Sequence, residues 1–444
     1  MVKLKRLKIE KFRNVAPGTE LRFRDSMNVL LGKNGTGKTT LLNLIVSLLR
    51  WDFSSLLNEP FALEYELLTP RNSTTVRLRN EPRPAFSGLS HDSQLSTQEL
   101  LAGALLPAGD DYESAGEIVL ASSNLEAEYT IKFSGSKLSL RGKKLHLGSI
   151  DLARPIAAGE AWINIAAALF QIKQQNKLDA PLISIFLDSA TSMSPPSLQR
   201  FDESLDYLYS TTGDERAFLA ARAFSQDAQD SFDVAPRNGG PRAVHQEIQR
   251  QLQKTSDVDE VRVQSSDAGA EFLGKAVQLL GFESAKLRIQ RTARQTEPSE
   301  RIYFGNIRFD FTRRDRSVIN HLLLSYGQKR LLAFYYYLAC NPATVVADEL
   351  VNGMHHEWIE ACMEELGGRQ SFLTSQNPLL LDYLGFESAD EVLSSFVLCR
   401  AEPQGERDQL RWENMTPEDA QGFFAAYQVG IQHVSEILRT RGLW

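Results

Sequence analysis

Apolar and charged positions alternate along the first residues. Leu4, Leu7, Ile9 and Phe12 stand among lysines and arginines, the period-two pattern of a strand with one face in a core. A second short strand is expected at 20–24. MNVLL at 27–31 is apolar throughout and stops at Gly32; an apolar stretch of helix length follows at 39–49. The order is strand, glycine-rich loop, helix. From 51 to about 116 the pattern is weak, with Pro, Ser and Asn scattered, and predicts surface loops and excursions. Strand-like alternation occurs twice within 117–140, turning at Gly135. Helical spacing covers 161–177, and an apolar strand is expected at 182–187.

Ser and Pro then gather at 191–196. The next hundred residues read as polar and mostly helical, with Phe272, Leu273, Ala276, Val277 and Leu280 at helical spacing and a break at 236–241. Sustained heptads are missing, so no long coiled coil is expected. Strands return at 287–290 and 302–311. A buried strand at 344–347, a helix at 356–366, a strand at 370–374 and a helix-patterned tail at 417–444 complete the chain. The tail ends as an amphipathic helix with an exposed-looking Leu443-Trp444.

Composition narrows the classes. At 444 residues there is room for two or three domains and a sizeable core. The chain is 42% hydrophobic and 24% charged, with net charge -7, so it is no polycation built to coat nucleic acid. Cys340, Cys362 and Cys399 are isolated, which argues against a disulfide framework or zinc site and suits a reducing compartment. No apolar run is long enough to span a bilayer, and the basic N-terminus reads as a strand rather than a signal peptide. A cytoplasmic protein is expected.

GKNGTGKT at 32–39 matches the phosphate-loop pattern G-x-x-x-x-G-K-[ST], which arises by chance only about 0.02 times in a chain of this length. The strand before it and the helix after it are the context it needs. The glycines let consecutive N–H groups face a β-phosphate, and the helix start adds positive potential. Asn34, Gly35, Thr36, Gly37, Lys38, Thr39 and Thr40 are the expected phosphate contacts. Lys38 would neutralise β- and γ-oxygens, and the Thr39 hydroxyl would ligate Mg²⁺. ATP with Mg²⁺ is the implied cofactor.

Such a site needs a second carboxylate at the end of a neighbouring strand. TVVADEL at 344–350 supplies it: small and β-branched residues ending in Asp348-Glu349. Asp348 would hold Mg²⁺, usually through water. On an extended chain Glu349 would face the opposite way, placed to polarise an attacking water.

LLLSYGQKRLLAF at 322–334 sets a polar step before an apolar run. Ser325 can cap the following helix, and Gly327 leaves N–H groups bare, a second anion-binding helix end. LSYGQKR resembles the signature motif of ABC-type ATPases, usually LSGGQ, with Tyr326 in place of the first glycine. The resemblance implies that Ser325, Gly327 and Gln328 contact ATP held by the phosphate loop of a second copy. The order of motifs, and KFRNV at 11–15, resemble the RecF, SMC and OLD group. There the residue matching Arg13 lies near the phosphates, with Asn14 beside it. VNGMHHEW at 351–358 resembles the D-loop; its adjacent histidines are read as exposed loop residues rather than metal ligands. FLTSQNP at 372–378 resembles the switch strand, with Gln376 where histidine is usual. Glutamine can donate to a γ-phosphate but cannot titrate, which implies slow turnover. The Q-loop of the family is sought near the end of 182–188.

The resemblance implies an α/β fold: an ABC-type P-loop NTPase head with a mixed-sheet lobe and a parallel core. Its parts would be an ATPase lobe at 1–195, a mainly helical insertion at 196–300, and a second lobe at 301–444. With no coiled-coil arms and no TOPRIM pattern, the chain is similar to the stand-alone ATPase subunits of two-gene phage-defence systems, the PARIS type first and the Septu type next. That implies a homodimer or higher homo-oligomer through the ATP sites and a nuclease partner, TOPRIM-type favoured. A phage-encoded trigger and nucleic acid stay open as further partners. The rival readings are a RecF-like repair ATPase binding duplex DNA through Lys3–Arg13 and Arg313, Arg314 and Arg316, and a non-hydrolysing ATP-dependent scaffold.

Overall fold

The computed structural model describes residues 2–83, 112–122, 127–142, 146–152, 155–156, 161–174, 182–186, 198–202, 204–222, 232–236, 240–296, 300–405 and 407–443. They form two compact units. The first gathers residues 1–25, 32–193 and 393–416; the second gathers 26–31, 194–392 and 417–444.

The first unit is built on an eight-stranded antiparallel sheet. Its strands are β1 (Lys3–Phe12), β2 (Thr19–Arg22), β4 (Phe61–Leu68), β5 (Asn72–Pro82), β6 (Tyr112–Ser122), β7 (Ala127–Ser134), β8 (Lys137–Gly142) and β9 (His146–Asp151), in the order β2-β1-β4-β5-β6-β7-β8-β9. Strict alternation drives it: on β4, Phe61, Leu63, Tyr65 and Leu67 are buried, and the residues between them are not. The weak pattern after residue 51, expected as loops, is therefore two long strands and the start of a third. On β5 the inward face includes Asn72, Thr74 and Asn80, all buried, so polar residues on both faces hid a period that remained two. Helix α1 (Lys38–Arg50) buries Leu41, Leu42, Leu44, Ile45, Leu48 and Leu49. Helix α2 (Ala161–Gln174) matches the helical spacing seen there. Residues 182–186 are helical, not the strand expected: a short apolar run carries no period to separate the two. Asp188, where the Q-loop was sought, lies outside the described residues.

Polar side chains cross the solvent face of this sheet in a continuous row. Glu20 accepts from Arg22 (3.1 Å) and Arg6 (2.9 Å), Glu64 from Arg6 (2.6 Å) and Arg77 (2.7 Å), and Glu117 from Arg77 (2.7 Å) and Lys132 (2.8 Å). Four cations and three carboxylates alternate across neighbouring strands from β2 to β7. The guanidinium hydrogen bonds hold all three carboxyls below the usual glutamate range, with the Lys132 ammonium leading at Glu117.

The second unit holds a parallel core: β3 (Met27–Leu31), β16 (Thr344–Ala347) and β17 (Gln370–Thr374), with β17 central. Buried on both faces, β16 and β17 lack alternation and read as continuous runs. Residue 201 extends this sheet by a parallel bridge to Ala347. All three strands run the same way, so their carboxyl ends share one edge. β3 ends there and passes directly into Gly32.

Around this core, residues 196–300 are not mainly helical. Helices α3 (Asp206–Gly213), α4 (Arg242–Leu252) and α5 (Glu271–Leu280) alternate with β10 (Phe218–Arg222), β11 (Phe232–Pro236), β12 (Glu260–Gln264) and β13 (Ser284–Gln295). Those strands join β14 (Arg301–Thr312) and β15 (Val318–Asn320) in one antiparallel sheet. The strand expected at 287–290 is the middle of β13, whose full length Arg and Gln on its outer positions concealed. The unit also carries α6 (Tyr326–Cys340), α7 (His356–Leu366), α8 (Pro378–Asp382), α9 (Ala389–Ser395), α10 (Pro417–Val429) and α11 (Val434–Thr440). The tail is thus two helices, broken at Gly430, whose φ is +69°, and Leu443 is buried rather than exposed. The hairpin β18 (Phe396–Gln404) and β19 (Arg407–Asn414) belongs to the first unit. No described helix is long and apolar enough to cross a membrane.

Candidate functional site

In the first unit, the loop 32–37 delivers the chain into α1. Gly37 is the N-cap at φ +81°, a left-handed conformation that favours glycine, and no side chain caps the helix. A Cβ at Gly37 would come within 2.7 Å of Leu410 and 3.0 Å of Trp412. The Trp412 indole N–H donates to the Thr36 carbonyl at 3.0 Å, and the Thr36 hydroxyl donates to Lys33 O at 2.8 Å. The loop is therefore held from both sides. Lys38, 8% exposed, folds its ammonium back onto the carbonyls of Gly32 (2.7 Å) and Lys33 (3.0 Å). Asn34, Gly35 and Thr39 face solvent. An uncapped helix start and a buried ammonium on one loop make an anion cradle. Cys399 packs nearby in the same unit; burial pushes its thiol up to about 12, so it is inert.

Arg13 and Thr40 line a cavity of about 450 Å³, together with Asn43, Ser47 and Arg50. Arg13 is held there by a two-pronged ion pair to Glu59 (2.7 and 2.8 Å). Asn14 is used differently: its amide donates to Asp408 O at 2.7 Å and its carbonyl accepts from Leu410 N at 2.8 Å, which fastens β1 to β19.

In the second unit, β16 ends in Asp348-Glu349, but the chain does not stay extended. Glu349 sits at φ +52°. This turn corrects the expectation that the two carboxylates face opposite ways; both reach the end of β17. Asp348 Oδ1 accepts from the Thr374 hydroxyl. Glu349 Oε2 accepts from the Gln376 backbone N–H at 2.9 Å, and Glu349 N donates to Thr374 Oγ1 at 3.1 Å. The Gln376 side chain is exposed. Asp348 Oδ2 accepts from Arg200 Nη1 at 2.7 Å.

Ser325 caps α6 in a reciprocal box: its hydroxyl accepts from Gln328 N (3.4 Å), while Gln328 Oε1 accepts from Ser325 N (3.0 Å). Both residues serve the helix start in this conformation. Gly327 is glycine because a Cβ would meet Gly353 O at 2.6 Å, and Tyr326 lies over Gly353. The stretches 325–328 and 351–358 therefore interlock. His355 packs edge-on against Trp358, and His356 against Tyr383. Leu322, Leu323 and Tyr326 are 57%, 75% and 48% exposed, an apolar rim around Ser325.

The sequence concealed two residues here. Arg330 is fully buried in α6 and donates to the carbonyls of Glu349, Leu350 (3.1 Å) and Asp202 (2.7 Å), with its guanidinium over Phe201. It lay inside the LSYGQKR motif, but an arginine beside an apolar run reads as surface charge. Arg200 lies far from Asp348 in sequence, and no local pattern could pair them.

Solved structures similar in fold include the Smc head bound to the C-winged helix domain of ScpA (9% identity, 93% of this chain and 98% of that one, TM-score 0.40). The SMC head domain from Thermotoga maritima (11%, 93% and 99%, 0.35) is another. A third is the Smc head with an extended coiled coil bound to the C-terminal domain of ScpA, derived from Pyrococcus furiosus (11%, 96% and 100%, 0.35). No curated protein matches the sequence. A family model described as "AAA domain, putative AbiEii toxin, Type IV TA system" matches residues 27–382, and the chain belongs to that family of AAA domains.

Proposed function

We propose that the chain binds ATP with Mg²⁺, pairs with a second copy around the nucleotide, and hydrolyses ATP slowly to ADP and phosphate. As a switchable scaffold and sensor it would control a nuclease partner in antiviral defence. The observation that carries the binding step is Lys38, whose buried ammonium lies on the loop carbonyls beside an uncapped helix start. Asn34, Gly35, Thr36, Gly37, Thr39 and Thr40 would complete the phosphate contacts, with Arg13 on the cavity beside Thr40. The donor set fits Mg²⁺: the Asp348 carboxylate and the Thr39 hydroxyl are hard oxygen ligands. Bound there, Mg²⁺ would supply charge neutralisation for the transferred phosphoryl group.

Glu349 would take the proton of the attacking water. Its Oε2 is fixed by the Gln376 N–H, and among the described residues Oε1 has no hydrogen-bond partner. Ser325, Gly327 and Gln328 would meet the nucleotide of the second copy, and the apolar rim of Leu322, Leu323 and Tyr326 supports an interface there. A type IV toxin–antitoxin description for the family supports a partner protein. Light scattering of the purified chain with and without ATP tests the pairing. Co-purification with the product of a neighbouring nuclease gene tests the scaffold role.

The duplex-DNA reading loses most of its first support. Lys5 pairs with Asp25, Arg6 with Glu20 and Glu64, Lys8 with Glu10 and Arg13 with Glu59. It keeps Arg313, Arg314 and Arg316, exposed in the β14–β15 turn and without ion pairs among the described residues. Salt-dependent DNA binding lost on their substitution would favour it. The scaffold that does not hydrolyse is favoured by Gln376, which bonds Glu349 through its backbone N–H and not, among the described residues, through its side chain; turnover equal in the native chain and Glu349→Gln would select it.

A further inference from the structure

We propose that Arg200 is a latch on the metal-binding carboxylate, competing with the divalent cation for Asp348; this rests on the reading of Asp348 as the metal ligand. Asp348 has two oxygens, and both are engaged. Oδ1 accepts from the Thr374 hydroxyl, and Oδ2 accepts from Arg200 Nη1 at 2.7 Å. The Arg200 side chain is 25% exposed and that of Asp348 11%, so the pair is half-sheltered from screening water. An oxygen that already accepts from a guanidinium is a poorer donor to a dication, and two positive charges at one carboxylate repel.

The backbone that carries Arg200 is fixed, so only its side chain is free to move. Phe201 N donates to Val346 O at 2.8 Å, and Asp348 N donates to Phe201 O at 2.7 Å. Arg330 adds a bond to Asp202 O and stacks on Phe201. Arg200 also has a ready alternative partner: its Nη2 lies 3.2 Å from Asp202 Oδ2. Released from Asp348, the guanidinium swings towards Asp202 without becoming an isolated charge. Its segment opens the region 198–300, whose role the motifs leave unassigned. A protein bound to that region that pulled Arg200 away, or pressed it closer, would thereby set the cation requirement of the acidic site.

The test is a Mg²⁺ titration of nucleotide binding, followed by the anisotropy of a fluorescent ATP analogue, on the full chain. For Arg200→Met the half-point in Mg²⁺ should fall by about tenfold, equivalent to ~1.4 kcal/mol. Affinity in EDTA should stay unchanged, a split that a merely structural role would not produce. Arg200→Lys, which keeps a charge and loses the fork, should fall between; it is titrated alone if the Met variant does not fold. A half-point within twofold of the native chain, or one that rises, overturns the latch. Asp348→Asn separates the two claims: if it leaves the Mg²⁺ dependence intact, the metal-ligand reading fails, whatever Arg200 does.

Discussion

The guanidinium of Arg330 donates to the carbonyl oxygen of Leu350 at 3.1 Å from a side chain with no solvent exposure. The same group donates to Glu349 O and Asp202 O. Arg330 follows the capped start of α6, so one buried side chain ties that helix to the turn carrying both carboxylates. Arg330→Met would take this donor from three carbonyls, of which Glu349 O keeps the Asn352 N–H at 3.3 Å, and should cost about 3 kcal/mol. Arg330→Lys should cost less, because an ammonium still reaches some of them. Urea unfolding curves decide it: a loss under ~1 kcal/mol would mean that water replaces the guanidinium.

Lys38→Ala should weaken nucleotide binding about 100-fold or more, since a charge-assisted contact to phosphate is lost. Calorimetric titration with ATP measures this. Binding at native affinity would show that the loop holds no triphosphate.

Glu349→Gln keeps the shape of the side chain and removes its basicity. Turnover should fall by ~10²–10⁴ while ATP binding persists. The variant should therefore accumulate as an ATP-bound pair in light scattering. Adding Leu323→Asp, a charge in the middle of the exposed rim, should return it to the monomer. A pair that survives Leu323→Asp places the interface elsewhere.

Stability should fall on mild acidification because of His321. Burial holds its imidazole below the ordinary histidine value, and Nδ1 accepts from Phe309 N at 3.3 Å. The unfolded chain therefore binds a proton near 6.5 that the folded chain resists. From there down to the folded value, stability falls by at most about 1.4 kcal/mol per pH unit. Asp310, Lys329 and Arg308 are the charged groups near it. His245, lowered by its own burial, acts in the same direction, so His321→Gln should remove part of the slope. Melting temperatures between pH 7.5 and 5.5 provide the check; an unaltered slope in the variant would exonerate His321.

Much of this was legible in the sequence. MNVLL, TVVA and QSFLT announced the buried strands by their short apolar runs, a signal that failed at 182–186, where the same kind of run is helical. Ser325 announced its cap because the box with Gln328 is local. Where contacts are distant, the chain was silent. Arg200 and Arg330 find their partners only once β16 is laid down, and nothing near Glu349 in sequence predicts its left-handed turn. The strands between 61 and 122 hid for another reason: β5 turns Asn72, Thr74 and Asn80 inward, so its buried face is itself partly polar and the apolar period is lost.

The row of charges across the first sheet has one more implication. Each carboxylate in it is shared by two cations, so replacing Glu64 breaks two ion pairs, to Arg6 and to Arg77, and cuts the row in half, whereas replacing Arg22 or Lys132 breaks only one. Tolerance to substitution is thus graded by position, greatest at the two ends and least in the middle. In evolutionary drift, changes of sign should enter this surface from its margins and move inward only in matched pairs.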